Sequence, residues 1–392
     1  MLTQEKLDNK IIEQINNSPE IQKRVESEAR YAITDRSRVE HYAGRTDRIT
    51  QTYISSPSDE YSLRVRKIEK NSGEVAYKAT LKDRGETKDS AVHRIEVETE
   101  ISPEAYKYFA SNPAYPTLYK NRATLQDGVT IDFIDGLEHP ILEIEGDNLY
   151  KTLGYLQKIP LANITNGNPS LNEHLAYELN NNAHPEIMSI PSTEELADSI
   201  LESSLYAHKN NDLSHTVIGI AGASGSGKST VAKMVADKIE AMFGDDYRPS
   251  IISTDDYHRG KQWLEETHQK PWTNWDHPLT YDTELLAYDL KLLREGQPLI
   301  KRHFDFQKEE VVYDEMLKDS PFVIVEGIHA GSKDLAEQRN VLFEMPTGHA
   351  TSIGRDLMRI IIENRANGSL GTPEARLRYQ MEVGLPTYIK TK

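Results

Sequence analysis

Thr216-Val217-Ile218-Gly219-Ile220-Ala221-Gly222-Ala223-Ser224-Gly225-Ser226-Gly227-Lys228-Ser229-Thr230 decides how the second half of the chain folds. Its first six residues are apolar and rich in β-branched side chains, as a buried strand requires. The glycines permit a tight turn, and Val231, Val235 and Ile239 then recur at helical spacing. Strand, turn and helix in that order aim a row of backbone N–H groups at one point, where the helix N-terminus adds partial positive charge. The run Gly-x-x-x-x-Gly-Lys-Ser fills every position of a phosphate-binding loop. Gly222 to Thr230 are therefore expected to cradle the phosphates of a nucleoside triphosphate such as ATP. Lys228 is expected to reach the outer phosphates, and the Ser229 hydroxyl to ligate Mg²⁺.

Outward from this loop, strand and helix alternate. Strands are expected at Ser250–Thr254, Phe322–Glu326 and Val341–Met345, and helices at Ser229–Met242, Thr283–Glu295 and Ser352–Asn364. That alternation implies a parallel α/β sheet covered on both faces. Ser192-Thr193-Glu194-Glu195 is a capping box that opens a further helix before the loop. Ligands of open α/β sheets gather at the carboxyl ends of the strands. Asp255, in Ser253-Thr254-Asp255-Asp256-Tyr257, falls at such an end and is the candidate base for phosphoryl transfer to a hydroxyl. Glu326 closes the apolar strand Val323-Ile324-Val325, where a carboxylate supports a metal ion beside a phosphate loop.

Composition narrows the partners. A net charge of -16 argues against a dedicated nucleic-acid or anionic-membrane surface, leaving small-molecule substrates. The sequence holds no cysteine, which excludes disulfides, zinc-thiolate sites and thiol catalysis. Charges run through the first twenty residues and no apolar stretch is long enough to span a bilayer, so a cytoplasmic protein is expected.

The first half reads differently. After an opening helix on Leu7, Ile11, Ile12 and Ile15, apolar and polar residues alternate at Tyr61–Ile68, Glu74–Lys82, Ala91–Ile101, Val129–Phe133 and Ile141–Glu145. This is the period of antiparallel strands with two distinct faces, and Asn71-Ser72-Gly73 and Asp127-Gly128 mark turns between them. Charges fall on alternate positions in Glu26-Ser27-Glu28-Ala29-Arg30, Arg64-Val65-Arg66, Arg94-Ile95-Glu96-Val97-Glu98, Lys120-Asn121-Arg122 and Glu143-Ile144-Glu145. One such triplet is a solvated strand face. Five of mixed sign suggest strands that direct charge into a shared cavity, with ordinary exposed sheet faces as the alternative. Residues 163–191, rich in Asn and Pro, read as a linker carrying one short helix near Leu171–Leu179. The expected domains are thus 1–162 and 192–392.

Two resemblances add to these readings. From about 217 to 389, the phosphate loop, Ser253-x-Asp255-x-Tyr257, Asp276-His277-Pro278 and Val325-Glu326-Gly327 occur in the order of the uridine kinase and phosphoribulokinase family. That resemblance implies an ATP-dependent kinase in which Asp255 is the base, Glu326 supports Mg²⁺ and Asp276 grips acceptor hydroxyls. Tyr257 and His277, in the same segments, join it as acceptor contacts. It also implies a lid helix whose arginines clamp the triphosphate; Arg355 and Arg359, or Arg365, fill that role. In uridine kinases the Tyr-Asp-Phe segment is followed by a base-reading histidine. Here Phe304-Asp305-Phe306 runs into Gln307-Lys308-Glu309-Glu310, so the acceptor is nucleoside-like without being specified as uridine. The three tryptophans, Trp263, Trp272 and Trp275, offer either stacking on an aromatic acceptor or packing.

From about 25 to 146 the alternating charges resemble the CYTH domain of the triphosphate tunnel metalloenzymes, with Arg30 where that family usually has lysine. The resemblance implies a closed antiparallel barrel that binds or cleaves a triphosphate or pyrophosphate. It implies that Glu26, Glu28, Glu143 and Glu145 hold Mg²⁺ or Mn²⁺, and that Arg30, Arg64, Arg66, Lys82, Arg94, Lys120 and Arg122 hold phosphate oxygens. The alternative function is an inorganic triphosphatase or pyrophosphatase with the phosphate-loop domain as its nucleotide-binding regulator.

Overall fold

Alternation in the first half produces ten antiparallel strands in the computed structural model, which describes residues 24–88, 91–125, 129–146, 161–164, 170–180, 191–210, 214–305, 308, 310–363 and 370–391. The opening helix, the Asp127-Gly128 turn and Arg365 lie outside the described residues. The strands are β1 (Val25–Ile33), β2 (Asp47–Tyr53), β3 (Tyr61–Glu69), β4 (Val75–Asp83), β5 (Glu86–Lys88), β6 (Ala91–Glu100), β7 (Thr117–Thr124), β8 (Val129–Ile134), β9 (Ile141–Glu145) and β10 (Leu161–Asn163). Eight of them form a ring in the order β1-β9-β8-β7-β2-β3-β4-β6, and β6 pairs back onto β1, with Glu26 opposite Arg94. The expected closed antiparallel barrel is what forms.

This barrel is apolar outside and charged inside. Ala29, Tyr31, Ile131, Phe133, Leu142 and Ile144 pack in one outer cluster, so Glu28, Arg30 and Glu143, one position along, point to the lumen. A slip of one residue in any strand would exchange the two faces, which fixes the register. Helix α1 (Pro103–Ala110), capped by the Ser102 hydroxyl, buries Phe109. Helix α2 (Leu171–Leu179) brings Leu175 and Ala176 against Tyr53, Leu118, Ile134 and Ile141.

The phosphate-loop half builds a four-stranded parallel sheet in the order β12-β15-β11-β16, made of β11 (Thr216–Ala221), β12 (Ser250–Ser253), β15 (Phe322–Gly327) and β16 (Val341–Glu344). Strands β13 (Ile300–Asp305) and β14 (Glu310–Met316) make a separate hairpin. Helix α3 (Thr193–Asn210) starts at the expected capping box, in which the Glu195 N–H donates to Ser192 Oγ (3.2 Å) and the Ser192 N–H to Glu195 Oε2 (2.7 Å). With α4 (Lys228–Phe243) it covers Ile218, Ile220, Phe322 and Ile324. The intervening residues Val217, Val323 and Val325 face α6 (Thr283–Arg294), and the shorter α5 (Lys261–His268) follows β12. Burial on both faces explains why β11 and β15 are continuous apolar runs.

A single boundary near residue 192 does not divide the chain. One compact unit is Met1–Met188 with Gly348–Glu382, the other Ser189–Thr347 with Val383–Lys392. The stretch read as linker carries α2, which belongs to the barrel. Helices α7 (His349–Glu363) and α8 (Pro373–Tyr379) return to the barrel unit, and the last helix, α9 (Leu385–Thr391), is again part of the other. The cause is a set of contacts specific to the barrel exterior. Thr351 Oγ1 donates to Asp59 Oδ1 (2.8 Å), and Arg355 makes a two-point ion pair with Glu60. Gly354 lies so close to Tyr61 that a Cβ there would sit 2.4 Å from its ring. Among the described residues no helix is long and apolar enough to cross a membrane.

Candidate functional sites

The carboxyl ends of β11, β15 and β12 are neighbours and bring together the residues read as chemical. Gly225 and Gly227 have φ of +77° and +92°, a conformation open to glycine that turns the loop into α4. Gly222 is fixed by space, since a Cβ there would lie 2.7 Å from Ser226 Oγ and 2.9 Å from Met345 Cβ. Lys228, buried at the first position of α4, donates to the Ala223 carbonyl (2.8 Å), which folds its ammonium over the loop. Ser229 Oγ donates to Glu326 Oε1 (3.2 Å). Asp255 begins the turn after β12; the surrounding protein, then Glu326, Asp256 and Asp276, raise its carboxyl to about 6 although Lys228 opposes them. Hydroxyl and carboxylate oxygens are the donor set that Mg²⁺ takes, and the crowded like charges are what a cation would relieve.

Beside this cluster stands a wall of rings. His258 stacks on Trp275 (5.8 Å between centroids) and meets Phe304 (4.6 Å) and Tyr281 (5.8 Å). His329 packs on Tyr281 and its Nε2 lies 3.1 Å from the Asp276 carbonyl oxygen, to which it donates. Trp272 is buried and donates to Thr280 Oγ1 (3.2 Å), so its role is packing. Trp263 lies beneath the Arg259 guanidinium.

In the barrel unit, the charged lumen encloses about 370 Å³, lined by Arg30, Arg64, Arg66, Lys82, Arg94 and Arg122 among acidic residues. Arg30 and Arg94 pair with Glu28, Lys82 and Arg94 with Glu26, Arg66 with Glu98, and Arg122 with Glu143. Among the described residues Arg64 makes no ion pair; its Nη1 reaches Tyr53 Oη at 3.5 Å, and Nε of both Arg64 and Arg66 is buried without a partner. Burial and the neighbouring Glu26 raise Glu96 to about 7, whereas the hydrogen bond with Glu96, then Lys82 and Arg94, overcome burial to hold Glu26 low.

Lys120 departs from the expected phosphate-binding role. It is buried against Asp132, a wholly buried carboxylate that also accepts two bonds from Arg122. The expected metal cluster departs as well. Glu26, Glu28 and Glu143 each accept from basic side chains, and among the described residues no three His, Asp or Glu side chains converge as a metal site. Glu145, at the end of β9 and opposite Glu28 across the ladder, is raised by burial and by its acidic neighbours. Glu96 and Glu98 complete the lining, and Asp132 is wholly buried in the wall behind Arg122. The first two are signalled by the Arg94–Glu98 alternation, and Asp132 by none of the triplets.

Comparison with known proteins places the second unit. The phosphoribulokinase and uridine kinase family model matches residues 217–342. A uridine kinase of Macrococcus caseolyticus is 33% identical over 153 residues, covering 38% of this chain and 70% of that protein. The chain belongs to this family. A uridine kinase of Staphylococcus epidermidis is 36% identical over 120 residues, 29% of this chain, and the chain spans 53% of that relative's length. Among solved structures, the inorganic triphosphatase NE1496 is similar at 17% identity with a TM-score of 0.24, over 38% of this chain and 92% of that one.

Four residues assigned by the family pattern are found in other settings. Tyr257 is buried with its hydroxyl on Asp289 Oδ2 (2.8 Å) and the Arg302 guanidinium over its ring, so it is core, not acceptor contact. His277 caps a turn, accepting from the Leu279 N–H (3.1 Å). Arg355 is engaged by Glu60 within the barrel unit, and Arg359 is exposed on the same helix. Spacing of four selects a helix face without saying what the face meets.

Burial holds His258 and His329 neutral, each lowered to about 4. A native pKa below the unfolded value means that the unfolded chain binds more protons between about 4 and 6.5, so this unit is expected to lose stability as pH falls through that window. Thermal unfolding across that range should show a shallower pH slope in His258→Asn/His329→Asn than in the parent. Equal slopes would place both imidazoles in contact with water.

Proposed function

We propose that the phosphate-loop unit transfers the γ-phosphoryl group of ATP to a hydroxyl of a nucleoside-like small molecule. The observation that carries this reading is the meeting of Lys228, Ser229, Glu326 and Asp255 at adjacent strand ends. Backbone N–H groups of the loop and the N-terminus of α4 hold the phosphates, with the Lys228 ammonium over them. Ser229 and Glu326 would hold Mg²⁺, which supplies charge neutralisation on the phosphates. Asp255 orients the acceptor hydroxyl and takes its proton as the new O–P bond forms and the bond from the γ-phosphorus to the bridging oxygen breaks, that oxygen leaving with ADP. Asp276, its carbonyl tied by His329, faces the acceptor, and the Trp275–His258 stack offers a planar wall for an aromatic base. Incubation with labelled ATP, Mg²⁺ and a panel of nucleosides tests this directly: label on a nucleoside supports it, and release of free phosphate alone from every mixture rejects it.

The barrel, in this reading, holds a triphosphate or pyrophosphate. Guanidinium groups that meet a bound polyanion are worth about 1.5–3 kcal/mol per hydrogen bond. Arg64→Ala should therefore weaken binding of inorganic triphosphate by about tenfold or more. Because Arg64 makes no ion pair among the described residues, the fold should survive its removal. Since basic side chains supply the attraction, calorimetry in EDTA should still register binding. Loss of all binding on chelation would show that a metal ion, and not this cage of cations, carries the affinity.

A further inference from the structure

The phosphate loop is strapped by residues far along the chain. The Met345 N–H donates to the Ala221 carbonyl (2.8 Å), and Thr347 Oγ1 donates to the Ser226 carbonyl (2.9 Å). A peptide group is planar and trans, so a carbonyl fixed on one side turns the following N–H to the other. Met345 therefore sets the direction of the Gly222 N–H, and Thr347 that of the Gly227 N–H, at the two ends of the loop. The Met345 side chain also fills the space beside Gly222, with its Cβ 2.9 Å from where a glycine Cβ would stand.

Thr347 is one peptide bond from Gly348, which opens α7: the Gly348 carbonyl accepts from the Ser352 N–H (2.9 Å), the first bond of that helix. This start is seated on Asp59, in the loop between β2 and β3. A Cβ at Gly348 would lie 2.9 Å from the Asp59 Cγ, so the two residues meet with no room for a side chain. Thr351, buried in the first turn, donates to Asp59 Oδ1 (2.8 Å) and accepts from the Glu60 N–H (3.1 Å). The Asp59 carboxylate thus stands at the N-terminus of a long helix, where negative charge is favoured. Asp59 is itself fixed. Its Oδ2 accepts from the Ser56 N–H (2.8 Å), its N–H donates to the Ser56 carbonyl (3.0 Å), and its carbonyl accepts from Arg84 Nε (2.8 Å).

We propose that Asp59, a residue of the barrel unit, is a positioning residue for the phosphate loop. This rests on the reading of that loop as the ATP site. Asp59 fixes where α7 begins, and the start of α7 fixes Thr347, the residue before it. Thr347 in turn orients the Ser226–Gly227 peptide, whose N–H is among those that hold the phosphates. Each bond in this series lies within one compact unit, and the chain itself carries the constraint from one unit to the other between Thr347 and Gly348. Glu60, one position along, has no such part: its ion pair with Arg355 is exposed and screened by water. The barrel unit is on this account a working part of the kinase, whatever its lumen holds.

The test is calorimetry of ATP with Mg²⁺ on the full chain. Asp59→Ala and Gly348→Ala open the same contact from either side, and each should weaken ATP binding about tenfold. The double variant should lose no more than either alone, because the methyl of one then enters the space left by the other. Thr351→Val keeps the shape and removes the hydroxyl, and should weaken ATP about fivefold, whereas Thr351→Ser should stay within about twofold of the parent. Glu60→Ala should also stay within about twofold. Thermal unfolding reports whether each variant folds; should either alanine variant fail, the Thr351 pair decides. ATP affinity unchanged in Asp59→Ala and Gly348→Ala, losses that multiply in the double variant, or Thr351→Ser no better than Thr351→Val overturns the positioning role while leaving the ATP site standing. A parent chain that binds no ATP overturns both.

Discussion

Asp255→Asn is expected to lower phosphoryl transfer by about a thousandfold, within the range for loss of a positioned general base. The amide keeps the shape and removes only the capacity to take the acceptor proton. Lys228 and the loop glycines are untouched, so nucleotide affinity should stay within about threefold of the parent. Lys228→Ala should do the reverse, weakening ATP binding as well as transfer, because its ammonium is folded over the loop through the Ala223 carbonyl. The pH dependence adds a second reading. With its carboxyl raised to about 6 by the crowded protein and by Glu326, Asp256 and Asp276, Asp255 should make kcat/KM fall as pH drops through about 6. That limb should vanish in Asp255→Asn. An asparagine variant with near-parental turnover would remove Asp255 from the chemistry and leave transfer to positioning alone.

What was legible from sequence followed from how local each signal is. The phosphate loop is one contiguous turn whose glycines and lysine are needed within a few residues of each other, so Gly225, Gly227 and Lys228 carry their geometry in their spacing. The barrel was legible because a period of two sorts side chains onto faces whatever the partners are. Charges at Glu28 and Arg30, with Ala29 and Tyr31 between, can only mean one polar and one apolar face. Which face closes inward was added by the number of such triplets.

Partner choice was not legible. Arg355 and Arg359 share a face by spacing, but that Glu60 awaits Arg355 is a matter of tertiary position. Tyr257 looked like a site residue because its neighbours in sequence are, yet the turn after β12 points it back at Asp289. The short helix at Leu171–Leu179 was readable as a helix, and its packing against the barrel was not: Asn172 and Glu173 look like solvated positions until the barrel supplies Ser55 and Arg84. Asp132 lay in a recognised strand, but a lone carboxylate in an alternating run carries no mark of being wholly buried.

That carboxylate should be the costliest single position in the barrel. Asp132 accepts from Lys120 and, at 2.6 and 2.7 Å, from Arg122, and all three side chains are withdrawn from water or nearly so. Among the described residues Asp132 is the hydrogen-bond and ion-pair partner of Lys120, whose ammonium burial and Arg122 already lower to about 8. Asp132→Ala leaves that charge buried and unpaired, a loss of about 3–5 kcal/mol, enough to consume much of the stability of an ordinary domain. Removing both charges in Asp132→Leu/Lys120→Met should recover most of it, because the pair's own net contribution is small beside the penalty of breaking it. Raising pH should also help the single variant. A lysine held below its unfolded pKa binds fewer protons in the native state, so stability grows as pH rises from the native toward the unfolded value. Denaturant unfolding of the full chain at two pH values measures all of this. A single variant that costs less than about 1 kcal/mol, or that gains nothing as pH rises, would mean that water reaches Lys120 and that the barrel wall at β7 and β8 is open there.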